Sequence, residues 1–145
     1  MRRPRMVPPK LALLAMTLVA GCVDARPPAQ SLEAQEILER ARAIGETVRA
    51  ASVCNAMLSM PAQDRAARIE AAAIELHNHQ GGVAARDAFL HALRPPAFDP
   101  GQRGRDRAAW CNARRAEIAR MDSVLAGPEG AALAQRAEMA QAALR

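Results

Sequence analysis

Aromatic side chains are scarce: the 145 residues hold one Trp, two Phe and no Tyr. A β-sandwich or barrel needs branched and aromatic residues on its pleated faces, so the composition argues against either. The same scarcity argues against a large cofactor pocket, because such pockets are lined by bulky apolar groups. Lysine is all but missing, Lys10 being the single one beside 19 arginines. No apolar run approaches the ~20 residues of a membrane-spanning helix. The longest covers ten residues, 11–20, and would span about 15 Å as a helix, half a bilayer core. No glycine-rich phosphate loop, Ser-His-Asp order or pair of inward carboxylates stands out. His77 and His79 are two apart on a predicted helix, so they diverge and cannot easily share a metal ion, and His91 belongs to another helix. With no convergent polar constellation, the sequence predicts a non-enzymatic protein without cofactor, metal or small-molecule substrate.

What is abundant is alanine, at 35 residues. With Leu, Glu, Gln, Met and Arg it belongs to the best helix formers, which predicts an all-α fold, a small bundle of four to five helices. The formal net charge of +5 is misleading, since Arg2, Arg3, Arg5 and Lys10 precede the first acid, Asp24. Beyond residue 21, 16 arginines face 15 acids. The basic balance therefore belongs to the first ten residues and is no footprint of nucleic-acid binding, which needs the charge on the folded body.

The basic residues 1–10, the apolar residues 11–20 and then Val19-Ala20-Gly21-Cys22 have the order of an export signal. The last four residues resemble the lipobox of bacterial lipoproteins. That resemblance implies that residues 1–21 are a signal peptide, and that Cys22 becomes the mature N-terminus, acylated on its sulfur and amine. An ordinary secretory signal with a chance Cys is the alternative. Two or more acyl chains anchor a protein stably, whereas one binds marginally. Val23 follows Cys22 in place of the Asp that retains enterobacterial lipoproteins in the inner membrane. The resemblance thus points to the periplasmic face of the outer membrane, while Asp24 leaves the inner membrane open. Residues 22–30, with Pro27-Pro28, form a short tether whose eight residues after Cys22 reach about 26 Å. The helical domain is expected over 31–145, working close to the bilayer.

Export leaves two further cysteines, Cys54 and Cys111, in an oxidising compartment, where an even pair usually forms a disulfide. A reactive or metal-binding thiol is the other reading, but neither Cys has a His at ligand spacing. A core built from alanine buries little area per residue, so a small domain gains from such a staple.

Periodicity predicts the helices. The first runs from Leu32 to Leu58 behind a Ser31 cap, with Ile37, Ala41, Ile44, Val48, Ala51 and Leu58 on one stripe and Cys54 among them. The second, Ala62 to His79, carries Ala66, Ile69, Ala73 and Leu76 and stops at Gly81-Gly82. A short third, Val83 to Leu93, carries Phe89, Leu90 and Leu93, before an irregular stretch from Pro95 to Arg105. The fourth, capped by Asp106 and ending at Ala126, places Cys111, Ile118, Met121 and Leu125 on one face. The last, Glu129 to Leu144, has a thin stripe of Leu133, Ala137, Ala140 and Leu144, so residues 129–145 are expected to dock loosely. The two inward cysteines predict a disulfide between the first and fourth of these helices. Trp110 is expected either to pack on that disulfide or to serve as an exposed anchor for a partner.

Charge is unevenly spread. Residues 29–80 carry five Arg and seven acids, whereas residues 94–120 carry seven Arg and three. Glu33, Glu36, Glu39 and Arg40 look like a solvated helix face. Arg103, Arg105, Arg107, Arg114 and Arg115 form a candidate basic contact patch, able to meet an anionic membrane or an acidic partner.

Cys54-Asn55, Pro61, the alanine-rich helix to Leu76, Gly81-Gly82 and Cys111 together resemble the small helical pilotins of type II secretion. These are disulfide-bonded outer-membrane lipoproteins that grip a helical segment of the secretin in a groove. The resemblance spans residues 37–126 and implies a disulfide between Cys54 and Cys111. It departs where the family has polar and acidic residues before the Pro and this chain has Ala56-Met57-Leu58-Ser59-Met60. Methionines such as Met57, Met60 and Met121 can line a groove for a partner helix. The expected function is a membrane-anchored, non-catalytic binding or assembly factor for an envelope protein, secretin-like or other. The alternative is a structural or stress-related lipoprotein associating with peptidoglycan or anionic lipid.

Overall fold

The computed structural model describes residues 28–145, with side chains from Leu32 onward. The expected signal peptide, Cys22 and most of the expected tether lie outside the described residues. The chain forms α1 (Pro28–Val53), α2 (Met60–Ala92), a 3-10 turn (Pro100–Gln102), α3 (Arg105–Ala126) and α4 (Pro128–Ala142). It is an all-α bundle of four helices with one disulfide, Cys54–Cys111, whose Cα atoms are 5.5 Å apart.

Helix α1 ends five residues before the expected Leu58. Asn55 adopts a left-handed φ of 52°, a conformation Asn tolerates better than most residues. The amide of Ala56 then reaches the Ala51 carbonyl at 2.8 Å and that of Asn55 reaches Ser52 at 3.3 Å, the paired bonds of a Schellman cap. Leu58 is nonetheless buried, because the turn swings it back onto the core. At the other end Ser31 lies within α1 and does not cap it.

The expected second and third helices are one element broken at Gly82, where φ is 68° and ψ −163°. Only glycine adopts that region without strain. The rings of His77 and Phe89 stack at 4.6 Å. Twelve residues of straight helix would separate them by about 18 Å, so the chain doubles back at Gly82. The first limb of α2, residues 60–81, runs beside α1; the second, residues 83–92, returns until Leu93 covers Gly45. Burial between these limbs pushes the His77 pKa down.

Gly104, with φ 79°, stands at the α3 N-terminus in place of the expected Asp106. Asp106 sits inside the first turn and accepts from the Asp99 amide at 2.7 Å. At the α3 C-terminus, Arg65 of α2 donates to the carbonyls of Leu125 and Gly127 at 2.6 and 2.7 Å, satisfying groups that a helix end leaves open. Ser59 directs its amide and hydroxyl to Asp122 of α3 at 2.7 and 2.8 Å.

Nine of the 19 core residues are alanine, so the helices approach closely while each contact removes little area from water. Charges supply part of the remaining definition. Arg49 pairs with Glu70 across α1 and α2, Arg68 with Glu138 across α2 and α4, and Arg136 with Glu36 across α4 and α1. Arg40 adds Glu129. The face read as merely solvated thus clamps α4, whose Leu133, Ala134 and Ala137 are buried. The thin stripe is enough to dock the last helix.

Candidate functional site

His77 and Gly45 mark the part of one face of α1 and α2 that the returning limb of α2 covers. On that face the next residues are Ile74 and Glu70 on α2, and Val48 and Ser52 on α1, each three or four positions on and therefore in line. Among the described residues nothing covers them. They border a groove of about 560 Å³ whose walls include Ala51, Ala67 and Ala71 and whose end is the Ala56–Leu58 turn. The groove continues the bed in which residues 83–92 lie.

Local geometry holds this groove open. The Arg49 guanidinium grips Glu70 through two bonds of 2.7 and 3.0 Å and also reaches the Gly45 carbonyl, fixing the spacing of its two walls. The Asn55 cap reverses the chain, and Gln63 ties the turn by donating to the Leu58 carbonyl at 2.6 Å. Met57 projects from the turn with 89% of its surface exposed, and Met60 with 76%. Ala51, Ala67 and Ala71 are small, so a helix can approach the backbone there, and the Met57 thioether at the rim adapts to an irregular partner.

Two further clefts exist. One of about 180 Å³ lies among α1, α3 and α4 beside Met121. Another, of about 1130 Å³, opens at the end of the bundle where α1 starts, lined by Leu38, His77, Phe89 and Leu144 but also by Glu33, Glu39, Arg42 and Arg136. Among the described residues no cluster of three His, Cys, Asp or Glu side chains could hold a metal, and no helix is long and apolar enough to cross a membrane.

The predicted basic patch is brought together only in part. Arg103, Arg105 and Arg107 are exposed where the 3-10 turn meets α3. Arg114 is drawn away, lying 4.7 Å from the Trp110 ring centre and pairing with Glu117 at 3.2 Å. Arg115 turns to Asn112. Trp110 is half-buried, and its ring meets Phe98 edge-on at 5.6 Å. Cys54 and Cys111 are half-buried as well, Cys54 packs against the core, and the two form the disulfide that the apolar stripes predict. The Cys54-Asn55 pair carried no hint that Asn55 caps α1, and of the methionines expected to line a groove only Met57 borders this one, Met121 lining a separate cleft.

No family model, curated protein or solved structure matches the chain.

Proposed function

We propose that this chain is a lipid-anchored envelope protein that binds an amphipathic helix of another envelope protein in the groove between α1 and α2, acting in assembly and not in catalysis. The observation that carries the reading is the uncovered half of that groove. The chain itself lays a helical limb in the other half, so the bed already has the width of a helix. Val48, Ile74 and the exposed Met57 offer apolar contacts along the groove to the apolar face of such a ligand. The pilotin-like layout of Cys54, Asn55, Pro61 and Cys111 supports the same reading, with a secretin-like protein as its sharpest partner. The anchor rests on the lipobox residues.

Two measurements test it. With a photo-crosslinking residue at Met57, the membrane-bound protein is expected to yield one discrete adduct, absent when the probe replaces exposed Ala84. Ala67→Trp with Ala71→Trp fills the groove from two exposed positions of α2 and should remove the adduct without unfolding the bundle. Adducts of equal yield at both probe positions, or insensitive to the tryptophans, would refute groove binding. For the anchor, the mass of the membrane-extracted chain should equal residues 22–145 plus acyl groups, and Cys22→Ser should move the protein to the soluble fraction. An unmodified Cys22 would refute that part alone.

A further inference from the structure

Most of the described arginines fall into two populations. Arg40, Arg42, Arg49, Arg68, Arg86 and Arg136 each reach a carboxylate at 2.6–3.4 Å. Among the described residues Arg94, Arg103, Arg105, Arg107, Arg115 and Arg120 have no carboxylate within 4.0 Å, and all six are exposed. The second set lies in the α2–α3 connection and on α3, where Arg114 alone pairs with a carboxylate; elsewhere Arg65, which caps the end of α3, and the terminal Arg145 also have none within 4.0 Å.

Local acids offset it only in part: residues 94–120 carry seven Arg against Asp99, Asp106 and Glu117, and none of these carboxylates pairs with Arg103, Arg105 or Arg107. Asp99 accepts from the Gly101 amide at 2.8 Å. Asp106 spends its two oxygens on the amides of Asp99 and Arg107 at 2.7 and 2.8 Å. Glu117 is engaged by Arg114. The same bonds, with Pro95, Pro96 and Pro100, brace the connection, so its charges are displayed on a shaped surface.

We infer that this arginine-bearing end, centred on Arg103, Arg105 and Arg107, docks on the anionic headgroups of a phospholipid bilayer. Two features favour a lipid surface over an acidic protein segment. None of the three clefts is lined by Arg103, Arg105 or Arg107, and recognition of an extended or helical peptide calls for a groove or a strand edge. Two of the three aromatic residues of the chain, Phe98 in the same connection and Trp110 on α3, are partly exposed and meet edge-on, and aromatic rings with basic side chains are the composition of membrane-interface surfaces.

The position of this end adds an orientation. The disulfide holds Cys111, near the start of α3, against Cys54 at the close of α1, so the arginines sit at the opposite end of α1 from Pro28. That helix has 26 residues, about 39 Å. Contact at both ends lays the bundle along the bilayer. The orientation rests on the anchor proposed above; the lipid contact does not.

Partition of the full chain onto vesicles of phosphatidylcholine with 30% phosphatidylglycerol, divided by partition onto pure phosphatidylcholine, isolates the headgroup contribution from any anchor. At about a tenfold change or less per arginine, Arg103→Gln, Arg105→Gln and Arg107→Gln together should lower that ratio by tenfold or more. Arg42→Gln, Arg86→Gln and Arg145→Gln remove the same formal charge elsewhere and should change it by less than twofold. Half-molar salt should bring the wild-type ratio close to that of the first variant. Equal partition of the wild type on both vesicles, or an equal loss in both triple variants, overturns the inference. Indifference to vesicles combined with arginine-dependent binding of polyglutamate overturns it too, assigning the surface to an acidic protein. Loss of the acyl groups instead lowers binding to both vesicles alike and leaves the ratio unchanged, and retained basic residues 1–10 raise the ratio equally in the wild type and both triple variants, so the comparison between variants still decides.

Discussion

Replacing Cys54 and Cys111 together by Ser is expected to lower the stability of the helical body by about 4 kcal/mol, read from the midpoint of urea unfolding against the oxidised protein. The size follows from the loop the bond closes: the two cysteines are 57 residues apart, and an open chain of that length has much entropy to lose on closure. Few proteins of this size carry such a loss. The alanine-dominated core supplies fewer methylenes than a leucine-rich one, so a larger share of the net stability rests on the crosslink. Reduction of the wild type should reproduce the effect, and an unchanged midpoint in either experiment would contradict it.

The second large effect is expected at Gly130, in the first turn of α4. Its missing side chain is what lets α4 begin hard against the end of α3: a Cβ there would lie 2.5 Å from the Cα of Leu125, among other backbone atoms of that residue. Backbone cannot give way as the end of a flexible side chain can, so relief must come from moving α4 away from α3. Gly130→Val should therefore cost about 3 kcal/mol, at the upper end for overpacked sites, and should displace Arg40 from Glu129. Ala131→Val, one residue on and exposed, should cost less than about 1 kcal/mol, its helix-propensity difference. Similar losses at the two positions would show that helix propensity, and not the close approach, governs the site.

Periodicity carried most of the architecture. The apolar stripes led to α1, both limbs of α2, α3 and α4, because helix registry repeats every three to four residues whatever the neighbours do. Boundaries failed where a local signal competed with that repeat. Leu58 is in phase with the α1 stripe, yet Asn55 turns the backbone three residues earlier, so the phase was real while the helix was over. At α3, Asp106 looked like a cap; Gly104 with its left-handed backbone took the position and freed the carboxylate to brace the preceding connection. Long-range geometry was unreadable in principle. That Arg65 reaches the end of α3, or that Glu36 meets Arg136, depends on how helices far apart in the chain are packed. The groove belongs to the same category, since it exists only because the second limb of α2 stops at Leu93, short of Val48 and Ile74.

Because one bond joins residues 54 and 111, everything between them is a covalent ring. A protease that cuts once inside that ring, for instance in the exposed connection after Leu93, leaves the two pieces attached to each other. The nicked protein would migrate as an intact chain until a thiol is added, and in a compartment rich in peptidases such a molecule can outlast its first injury.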